Sequence, residues 1–248
     1  MVDISWMQKY ETTVWYFPEE IPSGDEIHGI DEYPARYPPI IPRVLINKYS
    51  KQNEFVLDPF SGGGTTLIEA KKLNRNSLGI DINPKSIEIT KKKLNLITHS
   101  QNITSKIILG DAKKLFFKDE VIDLVITSPP YWNLIKYSDE KECLANSNSI
   151  NEYLDSLNQS IREMYRVLKK GRYCCIVIGD ATEGWKFHPL GYKTQVMLEE
   201  VGFTIQRIVI HIQCRTNSFL HGNEKVKDKV LNKGLFLIAH EYVIIAKK

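Results

Sequence analysis

"VLDPFSGGGTTLIEA" runs from Val56 to Ala70, and its reading decides the fold. An apolar run closes on an acid, three consecutive glycines follow, and a helical pattern starts at once. Gly62, Gly63 and Gly64 let the backbone turn sharply and approach a ligand closely. A helix beginning there presents unpaired N–H groups to the turn. No Lys follows the glycines, so the loop is not a nucleoside-triphosphate cradle. Taken alone, the stretch also fits a ligand-free βα turn.

Working outward, apolar strand candidates recur at 54–60, 76–81, 105–110, 121–128, 172–179, 203–213 and 236–246. Helical patterns fall between most of them, at 64–74, 84–97, 151–169 and 187–201, with another from Pro39 to Tyr49. Such alternation predicts βαβ units in a doubly wound, mostly parallel seven-stranded α/β sheet. The last two strand candidates have no clear helix between them, which predicts an antiparallel hairpin at one sheet edge. Residues 1–50, rich in Pro, Gly and acids, read as an ordered arm.

Composition narrows the class. The chain has 248 residues, 42% hydrophobic and 25% charged, with a formal net charge of +3. That balance permits a nucleic-acid partner without demanding one. The 4 Cys include no CxxC pair, so neither a metal site nor a disulfide framework is indicated. No signal peptide and no membrane-length apolar run is legible. A cytoplasmic location is expected.

Three acids end three successive strands. Asp58 closes the first, Asp81 the second, roughly 20 residues beyond the glycines, and Asp111 the third. Each alone fits an N-cap. Together, facing one crevice, they suit a cofactor carrying a ribose, an adenine amino group and a cationic centre. That description points to S-adenosylmethionine, with Asp81 on the ribose and Asp111 on the adenine.

The fourth strand ends in "TSPPY", Thr127 to Tyr131. Neither Pro129 nor Pro130 can extend a ladder, so the loop is stiff. In a sheet of this kind the fourth strand lies beside the first, which puts this loop next to the cofactor. The exocyclic amino group of a nucleobase is a weak nucleophile, because its lone pair is delocalised into the ring. The Ser128 hydroxyl and the Pro129 carbonyl can hold its two N–H bonds and draw the nitrogen toward tetrahedral geometry. Tyr131 can stack on a base rotated out of its helix.

These stretches resemble the amino-group DNA methyltransferases, which modify N4 of cytosine or N6 of adenine. "DPFSGGGTT" (Asp58–Thr66) is similar to the family's cofactor motif and "TSPPY" to its catalytic motif. "GIDINP" (Gly79–Pro84), "KKGRYCCIVIGD" and "HEYVIIAKK" resemble its further motifs and strands. The resemblance covers about residues 10–248 and implies a Rossmann-like methyltransferase fold, so residues 1–248 are expected to form a single catalytic domain. It implies catalytic roles for Ser128, Pro129, Pro130 and Tyr131. It implies cofactor contacts from Asp58, Phe60, Gly62, Gly64, Thr65, Thr66, Asp81 and Asp111. "HGIDEYPARYPPIIP" resembles the segment that closes over the methionine end of the cofactor, which adds Tyr33. Within the family a Ser at the first catalytic position goes most often with cytosine N4, so N4 is the expected target and adenine N6 the alternative. Double-stranded DNA is the implied partner. A cognate restriction endonuclease, and monomer against homodimer, stay open.

Neighbouring chemistries fit less well. A cytosine-C5 enzyme needs a Cys nucleophile on a loop, yet Cys174 and Cys175 sit in an apolar strand pattern. A dinucleotide site lacks its third glycine, since Leu67 stands there. RNA and protein amide methyltransferases usually carry Asp or Asn before the prolines and an added binding domain. A catalytically inactive nucleic-acid-binding relative is the reading from another class. The loops 132–150 and 212–234 are the candidate DNA readers, and Arg215, Asn217 and Lys225 in the second are the expected contacts.

Overall fold

The computed structural model describes residues 10–17, 26–29, 37–98, 103–132, 137–183, 185–213, 232–234 and 238–248. Ten strands and six helices follow one another along it. They are β1 (Val14–Tyr16), α1 (Glu26–Gly29), α2 (Ile40–Tyr49), β2 (Phe55–Asp58), α3 (Thr65–Lys72), β3 (Asn76–Asp81), α4 (Pro84–Asn95), β4 (Ser105–Leu109) and β5 (Ile122–Thr127). Then come α5 (Ile150–Val167), β6 (Leu168–Ile178), β7 (Ala181–Glu183), β8 (Lys186–His188), α6 (Leu190–Val201), β9 (Thr204–Ile212) and β10 (His240–Lys247).

Eight strands form the main sheet in the order β1-β9-β10-β6-β5-β2-β3-β4. β6, β5, β2, β3 and β4 run parallel to one another. β10 is antiparallel to both of its neighbours, β6 and β9. The expected hairpin is therefore present, but β1 lies outside it, parallel to β9. This eighth strand comes from the arm and buries Trp15, and Phe17, which follows it, is buried too. A second departure is β7–β8, a two-stranded hairpin where the pattern predicted the start of a helix at 187. The helix waits until Leu190.

Period-2 alternation sends each strand's side chains to opposite faces. Leu57, Val125, Cys174, Ile176, Ile178 and Ile244 point to the face covered by α5 and α6. Val56, Leu124, Ile126, Cys175, Val177 and Val243 point to the face covered by α2. Leu67 and Ile68 of α3 join Leu94 and Ile107 in a third cluster. With both faces covered, the central strands read as near-continuous apolar runs, as parallel strands do.

The winding fixes where ligands can sit. From β2 the chain steps outward through β3 to β4, then returns to β5 on the other side of β2. The loops after β2 and β5 diverge there, which opens a crevice at the carboxyl ends of the strands.

Candidate active site

The glycine loop is braced from three sides. Ser61 N–H donates to the Ile80 carbonyl at 3.0 Å, and Gly64 N–H to the Ser61 carbonyl at 2.9 Å. Thr90 Oγ1 donates to the Gly62 carbonyl at 3.0 Å and the buried Lys93 Nζ to the Gly63 carbonyl at 3.2 Å. Gly64 has φ +80°, and a Cβ there would lie 2.5 Å from Thr90 Cγ2. Only glycine meets both conditions. α3 starts at the next residue.

Asp81, at the end of β3, holds the same loop. Its Oδ2 accepts from Gly62 N–H at 2.7 Å and its Oδ1 from Asn83 N–H at 2.9 Å. Burial raises its pKa above the usual carboxylate value, partly offset by those two bonds. Asp111 accepts from Lys113 N–H at 2.9 Å and pairs with Lys113 Nζ at 3.3 Å.

These loops line one cleft of about 930 Å³, counted with its open mouth. Its walls include Phe60, Ser61, Gly62, Gly63, Thr65, Asp81 and Asp111 on one side, and Ser128, Pro130, Tyr131 and Glu241 on the other. Ser61 Oγ is buried in this wall without a hydrogen-bond partner. It packs against Gly79, where a Cβ would lie 2.4 Å from it. The acids Asp81 and Asp111 in the cleft wall fit an adenosyl group, whose ribose hydroxyls and adenine amine are donors.

Asp58 corrects an expectation. It is 1% exposed and lies behind the cleft wall. Thr127 Oγ1 donates to its Oδ1 at 2.6 Å, Phe60 N–H to the same oxygen at 3.1 Å, and Thr66 Oγ1 to its Oδ2. Tyr37, which lines the cleft, hydrogen-bonds Thr66 in turn. Thr127 immediately precedes Ser128, so one carboxylate ties the glycine loop to the Ser-Pro-Pro-Tyr loop. Burial pushes the Asp58 pKa up to about 6, against the lowering effect of its three donors. Gly64 and Thr66 likewise support the wall from behind, and Pro129 stands between the wall residues Ser128 and Pro130.

Tyr131 is turned inward, 9% exposed. Its hydroxyl donates to Glu241 Oε1 at 2.8 Å, and His211 Nδ1 lies 3.3 Å from Glu241 Oε2. A Cβ on Gly179 would sit 3.2 Å from Tyr131 Cε2 and 3.7 Å from Glu241 Cγ. Burial, reinforced by the Glu241 carboxylate, pushes the Tyr131 pKa well above its usual value, so the hydroxyl stays a donor. Sequence reading overlooked Glu241, Gly179, Tyr37 and Tyr137. The one available signal was an acid opening the apolar run "HEYVIIAKK".

The loop 132–150 borders the same cleft. Among its described residues, Tyr137, Ser138, Cys143 and Leu144 line the cleft. Asn83 Nδ2 donates to the Tyr137 carbonyl at 3.0 Å, and Trp132 and Leu144 are buried. Residues 139–142, 146, 148 and 149 are exposed, so the loop has an outer face as well as a face on the cleft. Tyr33, Arg215, Asn217 and Lys225 lie outside the described residues.

A family model described as DNA methylase matches residues 4–92 and 122–248. The chain belongs to the N6/N4 DNA methylase family. A second model, for RNA cap guanine-N2 methyltransferase, matches residues 53–170. Among relatives, the type II methyltransferase M.BglI of Bacillus subtilis is 30% identical over 97 residues, 39% of this chain and 26% of that protein. A tRNA (guanine(10)-N2)-dimethyltransferase of Methanothermobacter thermautotrophicus is 31% identical over 132 residues, 53% of this chain and 37% of that protein. The chain thus spans little more than a third, at most, of either relative. A solved SAM-dependent methyltransferase from Methanosarcina mazei superposes with a TM-score of 0.56 at 18% identity, covering 82% of this chain and 96% of that one. TrmN from Thermus thermophilus gives 0.52 at 14%, covering 88% of this chain and 51% of that one. Both likenesses establish the methyltransferase fold. Among the described residues no helix is long and apolar enough to cross a membrane.

Proposed function

We propose that the protein methylates the exocyclic N4 of a cytosine flipped out of double-stranded DNA. The observation that carries this reading is the juxtaposition, in one cleft, of the braced glycine loop and Asp81 with Ser128 and Tyr131. S-adenosylmethionine is the methyl donor, and supplies an electrophilic methyl group on a sulfonium. Gly62, Gly63 and Thr65 form the floor under it, Asp81 takes the ribose hydroxyls, Asp111 the adenine amine, and Tyr33 closes over its methionine end.

The protein's own groups prepare the acceptor. Ser128 Oγ and the Pro129 carbonyl accept the two amino N–H bonds, which frees the nitrogen lone pair for attack. Pro129 and Pro130 hold these acceptors in place before the base arrives, so no reorganisation is needed during reaction. Tyr131 presents its ring to the base, with its hydroxyl anchored on Glu241. Arg215, Asn217 and Lys225 are the proposed DNA contacts beyond the cleft.

Ser128 at the first position of the catalytic loop, the residue that the family most often pairs with cytosine N4, supports N4 over adenine N6. The matches to an RNA cap model over residues 53–170 and to a tRNA methyltransferase favour an RNA amino group as the second reading. Parallel incubations with S-adenosylmethionine and either duplex DNA or RNA, then digestion to nucleosides and mass spectrometry, separate them. N4-methyldeoxycytidine is the expected product. N6-methyldeoxyadenosine, or methyl incorporation confined to RNA, overturns the assignment.

A further inference from the structure

The hairpin β7–β8 leaves the carboxyl end of β6, beside the catalytic loop. Its inner side belongs to that loop's support: the His188 ring meets Trp132 edge-on at 5.3 Å between centroids, and Trp132 directly follows Tyr131. Ala181 and His188 are buried. The outer side is different. Trp185 is 50% exposed and Phe187 53%, and Tyr192, on the first turn of α6, is 64% exposed. Three exposed rings within eight residues, on the water side of a two-stranded hairpin and the helix turn that follows it, are what a contact surface requires.

The charges around the rings say what kind of partner fits. Lys186 stands exposed between Trp185 and Phe187, Lys193 follows Tyr192, and Lys233 Nζ lies 3.8 Å over the Trp185 ring. The hairpin's acid, Glu183, stands across the ladder from Lys186, with its carboxylate 3.5 Å from the His188 ring, so Lys193 and Lys233 carry the excess positive charge beside the rings. Aromatic faces interleaved with ammonium groups match a polynucleotide, whose bases stack and whose phosphates take lysines. An apolar protein partner would leave the lysines unmatched.

We propose that this hairpin is a DNA-contacting element that engages the strand flanking the target base. Trp185 and Phe187 stack on nucleotides whose stacking partner has been extruded, while Lys186 and Lys233 meet the adjoining phosphates. The proposal rests on the DNA-methyltransferase reading above, and the wild-type arm of the test keeps the two separable.

Affinity for a fluorescent duplex is measured on the full chain with S-adenosylhomocysteine bound. Trp185→Ala with Phe187→Ala is expected to weaken binding about 10- to 100-fold, with unchanged melting temperature and affinity for S-adenosylhomocysteine. Equal affinity of variant and wild type overturns the hairpin's role alone. Failure of the wild type to bind any duplex removes the DNA reading and this proposal with it. Lys186→Gln with Lys233→Gln is expected to flatten the log–log salt dependence by about 1 to 2; an unchanged slope counts against the phosphate contacts. In the unaltered protein, acrylamide quenching of the fluorescence component lost in Trp185→Phe is expected to fall when DNA is added. Undiminished quenching overturns the stacking role without any variant that must fold around a lost ring.

Discussion

The Tyr131 hydroxyl donates to Glu241 Oε1 at 2.8 Å, which joins the catalytic loop to the first residues of the last strand. Glu241 Oε2 faces His211 on the neighbouring β9, so the carboxylate is held from both sides. Tyr131 is therefore fixed in its rotamer before a base arrives. Glu241→Ala leaves a buried phenol without its acceptor, at a cost of about 1–3 kcal/mol. We expect kcat to fall about 10- to 100-fold while donor affinity is kept. Glu241→Gln retains an acceptor oxygen and should recover most of the loss. Steady-state kinetics on all three proteins check this, and equal rates for the Ala and Gln variants would show that the hydrogen bond is not what positions the ring.

Asp58 makes stability depend on pH in a direction opposite to that of most paired carboxylates. Its folded pKa is raised from 3.8 to about 6. A raised acid contributes stability in full below its unfolded pKa, and that contribution is lost as pH rises through the folded value. The difference is worth about 2–3 kcal/mol between pH 4 and pH 7. Urea denaturation across that range is expected to show a downward slope that Asp58→Asn removes. A wild-type curve indistinguishable from the variant's would mean that the buried group does not titrate there.

At Gly64 the backbone and a neighbour both exclude a side chain. Gly64→Ala meets a φ of +80° and a contact of 2.5 Å to Thr90 Cγ2. We expect a loss of about 1–3 kcal/mol and weaker donor binding, because the loop shifts. Adding Thr90→Ser removes the methyl while keeping the hydroxyl that holds Gly62. The pair should recover part of the stability but not all of it, since the φ strain stays. Thermal melts and donor titrations measure both.

Ser128→Ala tests the acceptor role separately from the fold. The cleft keeps its shape and the glycine loop is untouched. Loss of one preorganised acceptor is expected to lower kcat about 100-fold with unchanged donor affinity. A variant that loses donor binding instead would assign Ser128 to the cofactor side of the cleft.

Much of the fold was legible because the sheet obeys one simple rule. Alternation along "FVLD", "IDLVIT" and "RYCCIVIG" serves two covered faces, and glycine and proline punctuate the strand ends. β1 was hidden because three residues carry no period, although Trp15 and the adjoining Phe17 are as apolar as any strand. β7–β8 was hidden because "TEGWKFHPLGY" has rings on the outside, where a helical pattern also places them. Asp81 and Asp111 were readable as wall residues. Asp58 was not, because an acid at a strand end can turn toward the crevice or behind it, and pleating alone does not choose. Glu241 looked like any acid opening a strand. Its partner lies more than a hundred positions away in sequence, and only the sheet order brings the two together.

The Tyr37–Thr66–Asp58–Thr127 chain carries a consequence for redesign. The glycine-loop side and the Ser-Pro-Pro-Tyr side of the cleft hang from a single carboxylate, so on the proposed reading the donor and base sites are not two modules that can be swapped one at a time. Enlarging the first to accept a bulkier transferable group would displace Thr66, and through Asp58 would retune Thr127 and the acceptors beyond it. A variant with altered donor preference should therefore arrive with an altered choice of base or a slower one, unless Thr127 is changed with it. Promiscuity toward one substrate is bounded here by fidelity toward the other.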